Sequence, residues 1–210
     1  DITLAIHQQP FVNAGDDEVI CENSDILLSP VVNNTSGVLW STSGDGTFDD
    51  NTLEDATYTP GENDLVNGSV LLTVTGQPIT PCNNAVDDVI EITFSPLPVV
   101  NAGDDDNTCD NSPYNLTATV QNYSSVLWTT SGDGVFDDAT SITAIYTPGA
   151  EDASTGEVQL TIVAQPEQPC SDVVTDFITL SFIPGPFVNV GDDIEACEDE
   201  LVNLSASVLY

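Results

Sequence analysis

Val12-Asn13-Ala14-Gly15-Asp16-Asp17 returns as Val100-Asn101-Ala102-Gly103-Asp104-Asp105, and again as Val188-Asn189-Val190-Gly191-Asp192-Asp193. The step is 88 residues each time, from 12 to 100 and from 100 to 188. The register holds in between. Cys21 recurs at Cys109 and Cys197, Trp40 at Trp128, and Cys82 at Cys170. About half of the positions match between the two full copies, with no insertion or deletion. A fixed long period marks a series of similar folded units. Residues 12–99 and 100–187 are the two whole repeats, each long enough to bury a core of its own. Residues 1–11 align with the end of a repeat, Ile2, Leu4 and Ile6 matching Ile90, Ile92 and Phe94. They are expected to be the last strand of a preceding repeat, and residues 188–210 the start of a following one. The chain thus reads as a window on a longer repetitive protein.

Within a repeat the apolar residues recur at strand spacing. Ile90, Ile92 and Phe94 alternate with Glu91 and Thr93, the period of two that marks a half-buried strand. Val70 to Val74, Val158 to Val163, Thr57-Tyr58-Thr59, Val38-Leu39-Trp40, Ile26 to Leu28 and Tyr114 to Val120 are further strand candidates. Ser43-Gly44-Asp45-Gly46 reads as a turn in which glycine supplies positive φ, and Pro60-Gly61 as a strand stop. Residues 10–17 and 96–105 read as short, proline-stiffened connections. No segment carries sustained helical periodicity. Roughly seven short strands per repeat with frequent turns predict tandem antiparallel immunoglobulin-like β-sandwiches, with Trp40 and Trp128 as core anchors.

The charge is extreme. The 210 residues hold no Lys or Arg against 35 Asp and Glu, for a net charge of −35. No Lys or Arg side chain can pair with a carboxylate anywhere in the chain. Each carboxylate needs water, a hydroxyl, a backbone N–H or a metal ion. Two carboxylates ~4 Å apart repel by ~1 kcal/mol in water and ~4 kcal/mol near a protein surface. Nucleic acid and anionic membranes are disfavoured partners, because both call for positive charge. No apolar run in this window exceeds strand length, so none predicts membrane insertion.

The cysteines occupy two repeat positions, which reads as a disulfide framework built in an oxidising compartment. Two schemes are open. One pairs Cys21 with Cys82 and Cys109 with Cys170 inside the repeats. The other pairs Cys82 with Cys109 and Cys170 with Cys197 across the junctions.

One set of residues carries a resemblance. It comprises Ala14-Gly15-Asp16-Asp17, Cys21, Trp40, Gly44-Asp45-Gly46, Phe48, Tyr58-Thr59-Pro60 and Cys82, with their counterparts 88 residues on. Together they resemble the PKD-like and immunoglobulin-like tandem repeats of large cell-surface proteins in Bacteroidetes such as flavobacteria. That resemblance implies export by the type IX secretion system and service as a stalk, adhesin shaft or surface filament. Two features depart from it. Trp40-Ser41-Thr42-Ser43-Gly44-Asp45-Gly46 is one residue longer than the Trp-Asp-Phe-Gly-Asp-Gly of a PKD domain, and Tyr58 is too far from Cys82 to form a tyrosine corner.

Calcium is the expected metal, since it takes 6–8 hard oxygen ligands. The first candidate ligands are Asn13, Asp16 and Asp17, repeated as Asn101, Asp104 and Asp105 and as Asn189, Asp192 and Asp193. Such ions would lock adjacent repeats together. A second candidate set is Asp45, Asp49 and Asp50, repeated as Asp133, Asp137 and Asp138. The plainer reading of both sets is a solvated Asp-rich turn. Asp64/Asp152 and Asp88/Asp176 read as turn or local capping residues. Catalysis has little to work with. The one histidine, His7, lies outside both repeats, and duplication of every candidate in both units argues against a single cleft. Asn33, Asn34, Asn67, Asn115, Asn122 and Asn203 sit in Asn-x-Ser/Thr sequons.

The expectation is a structural, non-catalytic shaft or filament on a bacterial cell surface, stapled by disulfides and stiffened by Ca²⁺. Its partners would be neighbouring repeats or copies of the same protein in an extended fibre, with a glycan ligand at a distal tip. The competing expectation is a glycan- or protein-binding β-sandwich module, for which Tyr123, replaced by Thr35 in the other repeat, is the aromatic candidate. Adaptation to high salt would account for the charge but not for aspartates clustered at the junctions.

Overall fold

A computed structural model describes every residue except 1, 4, 111, 200 and 210, so Leu4 of the expected leading strand lies outside the described residues. The chain forms two compact units. One comprises Asp1–Pro98 together with Pro166–Asp172, the other Val99–Gln165 together with Val173–Tyr210.

The first unit runs β1 (Phe11–Asn13), β2 (Glu18–Cys21), β3 (Ile26–Leu27), β4 (Val31–Asn33), β5 (Thr35–Thr42), β6 (Thr47–Phe48), β7 (Thr57–Thr59), α1 (Glu62–Asn67), β8 (Ser69–Pro78) and β9 (Val86–Ser95). A four-stranded sheet has the order β2-β9-β8-β5. A three-stranded sheet has the order β3-β7-β6, and β1 pairs with β4. The period-two pattern sets the faces. Val70, Leu72 and Val74 of β8 are buried, as are Ile90, Ile92 and Phe94 of β9. They pair in register, Val70 with Ile92 and Leu72 with Ile90. Trp40, opposite Val74, is 1 % exposed and donates its indole N–H to the Leu53 carbonyl at 3.1 Å. From the other sheet come Ile26 and Tyr58, so one apolar cluster is shared by both sheets. Phe48 bridges Trp40 and Tyr58, with ring centroids 6.3 and 4.9 Å away. Each fully buried large side chain of this kind contributes about 1.5–3 kcal/mol.

The second unit repeats this as β10 (Val99–Asn101), β11 (Asp106–Cys109), β12 (Tyr114–Asn115), β13 (Thr119–Gln121), β14 (Tyr123–Thr130), β15 (Val135–Phe136), β16 (Ile145–Thr147), α2 (Ala150–Thr155), β17 (Glu157–Pro166) and β18 (Val174–Ile183). Its sheets are β11-β18-β17-β14, β12-β16-β15 and β10-β13, and Trp128 is 2 % exposed in its core. A last pair, β19 (Phe187–Asn189) with β20 (Ser207–Leu209), matches the β1–β4 ribbon two periods on. Each unit is an immunoglobulin-like β-sandwich.

Several features differ from the sequence expectation. The sandwiches are not wholly antiparallel: β2 runs parallel to β9, and β11 parallel to β18. Within each unit, then, the first and last strands of the large sheet run the same way. Val12 and Asn13 belong to a paired strand, not to a linker. The stretch from Tyr114 to Val120 is broken into β12 and β13. The described residues of 2–10 form no strand. Two six-residue helices are present where none was expected. Fewer than two turns are too short to show a helical period, and capping decides their formation. Both helices end at a left-handed glycine, Gly68 (φ 78°) and Gly156 (φ 85°).

Candidate functional site: carboxylate turns and a cysteine staple

The Gly44-Asp45-Gly46 turn and helix α1 are built around two carboxylates. Asp64 is 1 % exposed. It accepts from the backbone N–H groups of Asp45 (3.2 Å), Gly46 (3.1 Å) and Gly61 (3.0 Å), and from the Tyr58 hydroxyl (2.6 Å). The Tyr58 oxygen also lies 2.9 Å from Thr42 Oγ1. In a chain without Lys or Arg, a buried charge can be held only by such donors. Burial opposes ionisation of Asp64, but the Tyr58 hydroxyl and then the Gly61, Asp45 and Gly46 amides hold its carboxyl below the ordinary carboxylate value. Burial, and next the Asp64 carboxylate, push the Tyr58 phenol up to about 12. Asp45 in turn accepts from the N–H of Asn63 (3.1 Å) and Asp64 (3.3 Å), a negative charge on the exposed first turn of α1. The second unit repeats the arrangement with Asp133, Tyr146 and Asp152, Tyr146 donating to Asp152 at 2.6 Å. Burial, and next the Asp152 carboxylate, push Tyr146 up to about 12.

Glycine is required here for space rather than for positive φ, which corrects the sequence reading. Neither Gly44 nor Gly46 has positive φ. A Cβ on Gly44 would run into the Asp64 carboxylate, and one on Gly46 into the Tyr58 hydroxyl.

The remaining aspartates of the second candidate set serve the backbone. Asp49 Oδ1 accepts from Asp50 N (2.7 Å) and Thr57 N (2.8 Å). Asp50 Oδ1 accepts from the amide (2.9 Å) and hydroxyl (2.7 Å) of Thr52, and those bonds lower its pKa. Asp137 and Asp138 do the same with Ile145 and Thr140. In the first candidate set, Asn13 Oδ1 accepts from Gly15 N (2.9 Å), and Asn101 and Asn189 repeat this with Gly103 and Gly191. Asp17 Oδ1 accepts from Glu91 N (2.9 Å), and Asp105 Oδ1 from Thr179 N (2.7 Å). Asp88 and Asp176 accept from Ala14 N and Ala102 N, each at 2.8 Å, so they fasten the turn to the sheet. Asp16, Asp104, Asp192 and Asp193 are exposed. Among the described residues no three His, Cys, Asp or Glu side chains come together as a metal centre.

The cysteine pairing follows neither expected scheme. Cys21, at the end of β2, is bonded to Cys170, 149 residues on, with Cα atoms 4.8 Å apart. The Cys170 segment, Pro166–Asp172, leaves the second repeat in sequence and is part of the first compact unit. Cys170 N donates to the Glu167 carbonyl (3.0 Å), and its Sγ lies 3.2 Å from the Ser95 carbonyl. Beside it, Asn23 Nδ2 donates to Asp172 (2.8 Å). Cys82, Cys109 and Cys197 are free thiols. Sequence reasoning offered only pairings between cysteines nearest in the chain. The signal it passed over was repetition itself, which allows one repeat to bond a later repeat out of sequence order.

Tyr123, the aromatic proposed for a binding face, is half-buried against the core of its unit. No helix among the described residues is long and apolar enough to cross a membrane.

No protein-family model and no curated protein sequence matches the chain. Solved structures do. A fragment of Drosophila N-cadherin, EC1-4, matches over 84% of this chain and 50% of its own, at 13% identity and a TM-score of 0.44. The immunoglobulin domains 1–5 of Sidekick-1 match over 88% and 40%, at 10% identity and a TM-score of 0.46. Human mucin-like protocadherin EC1-2 matches over 84% and 98%, at 11% identity and a TM-score of 0.38. The chain spans half the length of the N-cadherin fragment and less of the Sidekick-1 fragment.

Proposed function

We propose that this chain is a stretch of a structural, non-catalytic extracellular shaft, its repeats joined in series to hold a distal part of a bacterial surface protein away from the cell. The observation that carries the reading is the Cys21–Cys170 bond, which fixes a loop from the second repeat into the first unit. A tether that bears load gains from covalent links that bypass the weaker sheet contacts. The parallel pairing of β2 with β9 supports the same reading, because load entering along the first strand leaves along its neighbour in the same sense. The disulfide supports an oxidising, extracellular setting. The resemblance to flavobacterial surface repeats, with type IX export, supplies the bacterial adhesin context.

The competing reading is a glycan- or protein-binding module. A glycan-array screen of the chain separates the two. The shaft reading expects no saturable binding, and saturable binding to a defined glycan would replace it. Calcium stiffening at the repeat junctions is the finer part of the reading. Exposed aspartates at Asp16, Asp104 and Asp192 favour it. A calcium-specific rise in melting temperature carries that part, and a rise that sodium matches removes it.

A further inference from the structure

We propose that the staple is periodic: the early cysteine of each repeat bonds the late cysteine of the repeat that follows, so Cys109 receives the late cysteine of the next repeat. The inference rests on the shaft reading and adds to it the covalent partner of an exposed thiol. Cys109 occupies the repeat position of Cys21, and Cys82 that of Cys170, the two residues already joined.

The receiving turn is built the same way in both units. Ser24 N donates to the Cys21 carbonyl (3.0 Å), and Ser112 N to the Cys109 carbonyl (3.2 Å). Glu22 N donates to the Ser95 carbonyl (3.0 Å), and Asp110 N to the Ile183 carbonyl (3.1 Å). The acid at the same place then grips the chain beyond the last strand. Glu22 accepts from Leu97 N (2.8 Å), and Asp110 from Gly185 N (3.2 Å). In the first unit this turn holds Cys170, which is 1 % exposed. In the second, Cys109 is exposed.

The donating loop is also repeated, and it points backward along the chain. Cys170 Sγ lies 3.2 Å from the carbonyl of Ser95, at the end of the strand that closes the first repeat. Cys82 Sγ lies 3.7 Å from the carbonyl of Gln8, in the segment that aligns with the end of a repeat. Each late cysteine therefore rests on the segment that precedes its own repeat. Cys170 N and Cys82 N close the same local turn, on Glu167 (3.0 Å) and Ile79 (2.9 Å). An early cysteine facing forward and a late cysteine facing backward give a bond between each repeat and the next, the same at every step.

The chemistry is thiol oxidation. Two thiols lose two protons and two electrons, and a disulfide-bearing oxidant accepts them and becomes a dithiol.

The test inserts one further copy of residues 100–187 between Phe187 and Val188 and refolds the longer chain with oxidised glutathione. The present chain has five cysteines and one bond, leaving three free thiols. The insertion adds two cysteines, and the titrated thiol number is expected to stay at three. Trypsin has no site in the native sequence, so a Glu-specific protease generates the peptides for mass mapping. The map is expected to join Cys109 to the late cysteine of the inserted repeat within one chain, and Cys109→Ser is expected to free that late cysteine while Cys21–Cys170 persists. Five free thiols with Cys21–Cys170 intact would overturn the proposal while leaving the staple of the first unit standing. Loss of Cys21–Cys170 itself would overturn both. Cys109 joined to another molecule, seen as a doubled mass without reductant, would overturn the assignment to the following repeat.

Discussion

The amide of Asp45 donates to the Asp64 carboxylate at 3.2 Å, and the amide of Asp64 donates back to the Asp45 carboxylate at 3.3 Å. Two acids thus hold a turn and a helix together without a positive side chain. Backbone N–H groups, the Tyr58 hydroxyl and the first turn of α1 do the work that Lys or Arg does in most proteins.

Replacing Asp64 by Asn keeps the shape but removes the charge and puts an NH₂ group among donors. With a buried charged acceptor lost, the cost is about 3 kcal/mol. The second unit is expected to respond equally to Asp152→Asn. Gly44→Ala, which drives a methyl group into the Asp64 carboxylate, costs about 1–3 kcal/mol by overpacking. Urea unfolding followed by tryptophan fluorescence measures all three, since Trp40 and Trp128 report one unit each. A change within 0.5 kcal/mol, the ~0.5 kcal/mol range of ordinary surface substitutions, would show that the network is not what holds the turn.

The tyrosines predict an alkaline transition. Tyr58 and Tyr146 are raised from 10.0 to about 12, by burial first and then by the neighbouring carboxylates. Tyr114 is raised to about 12 by burial and then by Asp106. A group whose pKa is raised on folding contributes stability that is fully present below its unfolded value and is lost as pH rises through its folded value. Stability is therefore expected to hold up to about pH 10 and to fall between there and about 12. Tyr58→Phe with Tyr146→Phe should flatten that fall, at a cost of about 1 kcal/mol per hydrogen bond at neutral pH. Melting curves from pH 8 to 12 test this. An unchanged alkaline limb in the double variant would contradict it.

Acid acts in two directions. Protonating exposed carboxylates relieves the repulsion of a chain at −35, which raises stability as pH first falls. Asp64 has its pKa lowered in the fold, so its contribution is present above the ordinary carboxylate value and is lost as pH drops through its folded value. The melting temperature is expected to rise below neutrality and then collapse, with Asp64→Asn losing the steeper part of the collapse. A monotonic fall from pH 7 in the unaltered chain would contradict this balance.

Metal dependence follows from the same geometry. Asn13, Asp17, Asp49 and Asp50 already accept from backbone amides, and no three His, Cys, Asp or Glu side chains converge among the described residues. NaCl raises the melting temperature by screening alone, and equal rises in CaCl₂ and NaCl at equal ionic strength would remove the calcium part of the proposal. A calcium-specific site would instead add about 2.7 kcal/mol at one hundred times its Kd.

The sandwich was legible because burial leaves a simple trace. Ile90, Ile92 and Phe94 alternate, Trp40 returns at Trp128, and Pro60-Gly61 stops a strand where β7 ends. The parallel β2–β9 pair was not legible. In Glu18-Val19-Ile20-Cys21 only Cys21 is fully buried, so hydrophobic period has little to register. Six-residue helices fall below the length at which a period can be read. The role of Asp64 depends on Tyr58 and on the Gly44-Asp45-Gly46 turn 18–19 residues earlier, a relationship set by tertiary approach. The pairing of Cys21 with Cys170 skips the two intervening cysteines, and chain proximity points the wrong way.

Pulling single molecules from their two ends tests the Cys21–Cys170 staple, on which the proposed shaft rests, most directly. The Cys21–Cys170 bond should keep the residues between them out of the extending chain, since they are 149 apart in sequence. At up to ~3.6 Å per residue, that hides on the order of 500 Å of contour length. The account predicts that the fully unfolded oxidised chain is shorter by about this length than the chain pulled with reductant or as Cys170→Ser. Equal contour lengths with and without reductant would contradict it.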